Sequence, residues 1–196
     1  MTASTLSDCS NRIYSGPQEV YRRTILHAPD APPVPQQLYG TLAHLVFEQV
    51  TSQGIDDAVA LEIFRESARN AALDEDDRCS LLEAGEYNLG IALREFGSIL
   101  RHPHAKAEVN LSPEHPTLNG VPLTGKIDHL EINPDTKTIE VFDYKTSKFH
   151  PEKWNSHPSL YQYRLQLGFY KLLLNLSPTY QKYQVTKGHI LFVTPD

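Results

Sequence analysis

Residues 123–132 and 138–142 are rich in apolar and β-branched side chains, and Asn133-Pro134-Asp135 lies between them. Two such runs separated by turn-forming residues predict an antiparallel β-hairpin. That hairpin decides which distant side chains can meet. Asp128 lies five residues before Asn133 and Asp143 lies eight after Asp135. At about 3.3 Å per residue the two carboxylates come together if the second strand bends or the turn carries a bulge. Side chains alternate across a strand, so Asp143 and Lys145 share one face while Tyr144 points to the other. One surface is thus expected to carry two carboxylates and an ammonium. Adjacent carboxylates repel, and a divalent cation between them removes the conflict. Metal binding is the economical explanation.

Each element of this pattern has a competing reading. Asp135-Thr136-Lys137 is also an acid-x-Lys triplet, but it falls in the predicted turn, where Asp and Lys are ordinary solvated residues. Asp143-Tyr144-Lys145 ends an apolar strand, where charge is costly to bury without a partner; the plain alternative is an ion pair capping the strand. Gly120-Val-Pro-Leu-Thr-Gly125-Lys126 matches the first seven positions of a phosphate-binding P-loop. Its eighth residue is Ile127 instead of the Ser or Thr that holds magnesium, and the segment runs into a β-pattern where a P-loop needs a helix. The P-loop is therefore excluded. His102-Pro103-His104 has no third ligand nearby in sequence and reads as a loop.

Further along, Gln166 and Tyr170 sit four residues apart on one face of a heavily apolar predicted helix. Upstream, Gly40-Thr41-Leu42-Ala43-His44 opens another predicted helix. The ordered set Gly-x-x-x-His, Gly-x-x-Asp, Asp-x-Lys at a strand end and Gln-x-x-x-Tyr on the next helix resembles the RecB-type branch of the PD-(D/E)XK nuclease superfamily. The N-terminal lead-in, from Thr2-Ala-Ser-Thr-Leu-Ser-Asp-Cys-Ser through Tyr21 and a Pro-rich linker, is similar to that of nuclease domains fused behind superfamily 1 DNA helicases. The resemblance covers nearly the whole chain. Two departures stand out. Only Cys9 and Cys79 are present, so the iron-sulfur cluster held by four cysteines in some relatives is not expected. The acid of the Asp-x-Lys motif is Asp where many relatives have Glu.

The resemblance implies a divalent-metal-dependent DNA nuclease, exonuclease or endonuclease. Single-stranded DNA is the expected substrate, with a helicase in cis or as a separate subunit, in repair or recombination. Asp128, Asp143 and Lys145 would be catalytic. His44, Asp128, Asp143 and the carbonyl of Tyr144 would hold Mg²⁺ or Mn²⁺, with the imidazole favouring manganese. Gln166 and Tyr170 would position the DNA. Beside these roles stand simpler ones: His44 and Tyr170 as core residues, and Glu108 as either an outer-shell acid or a surface charge. A nuclease-like scaffold that binds DNA without cutting it, and a structure-specific or RNA nuclease, are the rival functions.

The expected fold is α/β, with a restriction-endonuclease-like core: a small mixed sheet flanked by helices, and an N-terminal helical extension. All 196 residues are expected to form one domain, with residues 1–100 mainly helical and residues 101–196 carrying the sheet and the catalytic motifs. Short helices are predicted from Thr5 and near Gln18, then a linker at 28–35. Helices follow at about 35–51, 56–73 and 74–100, the last broken or weakened at Gly85, Gly90 and Gly97. Strands are predicted near 105–111, 121–132, 138–146 and 188–193, with a helix ending at Leu176 before the last. Nothing is apolar enough to span a membrane, and a cytoplasmic location is expected. The formal charge of −6 is unusual for a DNA binder; it requires local positive charge, for which Lys145, Lys148, Lys153, Arg164 and Lys171 are candidates.

Overall fold

A computed structural model describes residues 34–149 and 159–194, together with Tyr21 and Leu26. The helices predicted from Thr5 and Gln18, and nearly all of the linker at 28–35, lie outside the described residues. Three helices come first: α1 (Pro35–Gln53), α2 (Asp57–Arg69) and α3 (Glu75–Leu100). Proline at its first turn suits the start of α1. Asp56 and Asp74 cap α2 and α3 by accepting hydrogen bonds from the Val59 and Asp77 amides. α3 is one unbroken helix, contrary to the expected break. Gly85 within it lies against Phe64 and Tyr39, where a Cβ would collide with the Phe64 ring. The glycine permits close helix packing, and 26 residues of packed helix offset its poor propensity.

Strands β1 (Ala105–Asn110), β4 (Lys126–Asn133), β5 (Thr138–Lys148) and β6 (Gln184–Thr194) form a sheet in the order β1-β4-β5-β6. The first two pairings are antiparallel and β5–β6 is parallel. A parallel pair requires a crossover, which α4 (Ser159–Leu176) supplies. This is the mixed sheet flanked by helices that was expected. The strand expected at 121–132 divides: Val121–Pro122 is β3, paired with β2 (Thr117–Leu118), and β4 begins only at Lys126. Pro122 cannot donate to a continued ladder. β6 starts at Gln184, four residues earlier than expected, because the Gln184 amide binds the Lys137 carbonyl at the hairpin turn.

The hairpin itself needs no bulge. Asn133 pairs with Thr138, and the register runs unshifted to His129–Phe142, so residues 134–137 form the whole connection. Lys137 takes a left-handed φ of 53° in that turn. The sheet then separates two apolar layers. Phe47, Phe64, Leu89 and Leu93 from α1–α3 pack with Tyr144 and Val193 on one side. Leu130, Ile139 and Val141 pack with Phe169, Leu173 and Leu174 of α4 on the other.

His129 is fully buried in the helical layer, near the rings of Phe142 and Tyr144. Neither ring nitrogen makes a well-formed hydrogen bond, and burial lowers its pKa to about 4, with the neighbouring His102 adding to the shift. The unfolded chain titrates near 6.5. Stability from the neutral imidazole is therefore complete above about pH 6.5 and falls as pH drops towards 4, by an amount of order 3 kcal/mol. His129→Phe should flatten this part of the profile: urea unfolding of both proteins from pH 4 to 7 should show the parent losing more stability on acidification. Parallel profiles would contradict it.

Candidate metal centre and active site

The site forms where two ladders open. β1–β4 pairing passes from Ala107–His129 to Val109–Ile127, with no Glu108–Asp128 pair between them. β4–β5 pairing ends at His129–Phe142, one residue short of Asp128 and Asp143. The backbone at Glu108 has turned into the left-handed region, φ 51°, which a β-carbon disfavours by roughly 1 kcal/mol or more. In place of a ladder bond, the Tyr144 amide donates to Asp128 Oδ2 at 2.9 Å. Gly125 precedes this opening. A Cβ there would overlap the Leu173 side chain of α4, so the glycine lets α4 close over the start of β4.

α1 brings His44 to the same point. Gly40, one turn earlier, lies 3.3 Å from Thr146 Oγ1 when given a Cβ, so the helix runs close to β5. His44 Nδ1 is 2.9 Å from Glu108 Oε1 and 3.7 Å from Asp128 Oδ1. One ligand atom from each of His44, Glu108 and Asp128 lies within 4.8 Å of the others. Cis ligands of an octahedral ion are about 3 Å apart, so a small contraction would close this set on one cation. The Glu108 and Asp128 side chains are 7% and 13% exposed. Burial, and after it the Asp143 charge, raises the pKa of Asp128 despite opposing help from His44, the Tyr144 amide and Lys145. A divalent cation would reverse that penalty. One imidazole and two carboxylates suit Mg²⁺ or Mn²⁺. Lys126 pairs with Glu108 from the solvent side, and Glu48 lines the same cavity as the three candidate ligands.

Asp143 is fully buried on the α4 face of β5. Its Oδ1 accepts from the Tyr170 hydroxyl at 3.1 Å, and Lys145 Nζ is 2.6 Å from its Oδ2, an ion-pair contact and not a directed hydrogen bond. Lys145 Nζ donates to Gln166 Oε1 at 3.0 Å, and Gln166 Nε2 donates to Tyr170 Oη at 2.7 Å. The four side chains close a ring. Burial and the two carboxylates hold Tyr170 far above the ordinary phenol range, so it remains a donor to Asp143.

Expected residues thus fall into two adjoining groups. Asp128 and His44 join Glu108; Asp143 and Lys145 join Gln166 and Tyr170. Tyr144 offers its amide to Asp128, while its ring turns into the helical core beside Phe47 and His44. Tyr170 is buried and spends its hydroxyl on Asp143. Glu108, for which sequence left two roles open, stands with His44 and Asp128 in the group that could hold a metal ion, its side chain 7% exposed.

A sequence model of the family described as the PD-(D/E)XK nuclease superfamily matches residues 4–195. The chain belongs to the PD-(D/E)XK nuclease superfamily. The mixed sheet, the acid and Asp-x-Lys positions on β4 and β5, and the acidic ligand set agree with that fold and with metal-dependent nuclease chemistry. No curated protein sequence matches the chain significantly. For this PD-(D/E)XK protein, calorimetric titration with Mn²⁺ should show Asp128→Asn and Glu108→Gln each weakening binding tenfold or more, because each removes a charged oxygen ligand. Gln166→Leu should bind the ion normally. Parental affinity in both acid variants would remove the proposed ligands.

Proposed function

We propose that the protein is a divalent-metal-dependent deoxyribonuclease acting on single-stranded DNA. The observation carrying this reading is the Asp143–Lys145 pair, locked by Gln166 and Tyr170 and set beside the His44, Glu108 and Asp128 cluster. An ammonium next to a site for a hard cation suits phosphodiester hydrolysis, in which a water must be activated and negative charge on phosphate must be neutralised. His44, Glu108 and Asp128 would hold Mg²⁺ or Mn²⁺, and Asp143 and the Tyr144 carbonyl would complete the shell. When bound, the ion lowers the pKa of the attacking water and offsets charge on the phosphate.

Lys145 orients that water and stabilises the phosphorane-like transition state with its ammonium. Gln166 fixes the direction of the Lys145 side chain through its carbonyl oxygen. Tyr170 holds Asp143 in place as a permanent donor. We assign Gln166 and Tyr170 to positioning these two groups, with contact to the DNA strand secondary. The wider setting is a helicase, in cis or as a partner subunit, that delivers the strand during DNA repair or recombination in the cytoplasm.

The parent protein should degrade a single-stranded oligonucleotide in Mn²⁺, and Lys145→Ala should lower the rate by about 10²-fold or more, given the usual loss on removing one transition-state donor. Asp128→Ala should be at least as damaging. Undiminished cleavage by both variants would overturn the site. A parent that binds DNA but cuts no single-stranded, duplex, flap or RNA substrate in Mg²⁺ or Mn²⁺ would instead be a scaffold.

A further inference from the structure

Gly125-Lys126 is not part of a P-loop, yet the fold brings this lysine to the candidate metal ligands. Lys126 pairs with Asn110 across β1 and β4, and the Gly125 carbonyl accepts from the Leu111 amide. Gly125 also lies close against Leu173 of α4. The backbone at Lys126 is thus held from two sides, and the side chain is the part left to move. That side chain is 58% exposed, against 7% for Glu108, whose Oε2 it pairs with. Glu108 Oε1 is 2.9 Å from His44 Nδ1, so both carboxylate oxygens carry a partner.

Lys126 and the three candidate ligands line one open cavity of about 580 Å³. Among the described residues lining it, Lys126 is the only lysine or arginine, set against the carboxylates of Glu48, Glu108 and Asp128. Its ammonium supplies to Glu108 the kind of charge that a divalent cation would supply. The two compete, because an ammonium and a divalent ion held against one carboxylate repel each other. The ion would also draw on His44 and Asp128, so the lysine is the partner that yields. Lys145 is a different kind of lysine: it is 23% exposed and fixed between Asp143 and Gln166. A lysine with a long flexible stem and its head in solvent changes partner easily. A phosphodiester that reaches the ligands through this cavity brings a new anion to the same place, and lysine serves phosphate as a point charge.

We propose that Lys126 is a charge stand-in for the metal and a phosphate-binding residue: it neutralises Glu108 until a divalent cation claims that carboxylate, then moves its ammonium to a backbone phosphate of the bound strand. This rests on the metal-dependent nuclease function proposed above and deepens it. Metal binding and strand binding are thereby coupled, since the lysine is released to phosphate only when Glu108 has the metal as its partner.

The test uses the full chain and Lys126→Gln, with thermal melting to establish that each variant is folded. Calorimetric titration should show Lys126→Gln binding Mn²⁺ about threefold tighter or more, because a competing ion pair is gone. Glu108→Gln already lacks that pair, so adding Lys126→Gln to it should change Mn²⁺ affinity by less than about twofold. Lys182→Gln removes an equal, exposed charge just before β6, at the hairpin-turn end of the sheet, and should bind Mn²⁺ as the parent does. Binding of fluorescein-labelled dT12 is then followed by anisotropy in EDTA and in Ca²⁺, which takes oxygen ligands of the same kind. Lys126→Gln should match the parent in EDTA. In Ca²⁺ it should bind several-fold more weakly, with a salt dependence lower by about one ion. Parental or weaker Mn²⁺ affinity in Lys126→Gln, or equal tightening by Lys182→Gln or within Glu108→Gln, would overturn the stand-in. A dT12 loss equal in EDTA and Ca²⁺, or absent from both, would overturn the transfer to phosphate. A parent that cuts nothing in Mn²⁺ while both shifts occur would sink the nuclease reading and leave the role of Lys126 standing.

Discussion

The carboxylate of Asp143 is the point on which the site turns. It is fully buried, and a buried charge is tolerated only when paired and hydrogen-bonded. Lys145 supplies the pairing from two residues along β5, and Tyr170 supplies the hydrogen bond from α4. Gln166 joins the two donors to each other. The ring depends on the β5–α4–β6 crossover, which lays the helix across the strand that carries the acid. It also makes Lys145 a fixed cation and not a mobile surface lysine.

Next to this ring, the sheet gives up regular pairing in exchange for chemistry. Glu108 adopts a left-handed backbone, Asp128 accepts from an amide that would otherwise face a ladder partner, and His44 approaches from the helical layer. Burial and the Asp143 charge both work against ionised Asp128. The protein therefore carries an electrostatic conflict that a bound divalent cation would resolve. The helical half supplies His44 and the sheet half supplies Glu108 and Asp128, so neither builds the candidate centre alone.

Much of this was legible beforehand. The hairpin, the placing of Asp128 and Asp143 on adjoining strands just past its last pair, and the shared face of Asp143 and Lys145 follow from turn chemistry and strand parity. The supposed bulge arose from counting from Asp135, when the strand resumes at Thr138 and residues 134–137 all belong to the turn. Gly85 looked like a helix breaker because sequence does not show that Phe64 and Tyr39 press against it. Glu108 stayed ambiguous because its position opposite Asp128 depends on the β1–β4 register, which the irregular connection through residues 111–125 conceals. The closed ring through Gln166 and Tyr170 was hidden for a similar reason: helical spacing shows that two residues share a face, but not which strand that face meets.

The most direct test of the metal centre is an anomalous-diffraction measurement on crystals of the protein soaked in Mn²⁺. The predicted result is a peak bonded at about 2.0–2.2 Å to a carboxylate oxygen of Asp128, with a nitrogen of His44 and an oxygen of Glu108 in the same shell and Lys145 still against Asp143. A well-occupied ion elsewhere, with Asp128 and Glu108 outside its coordination sphere, would contradict the assignment.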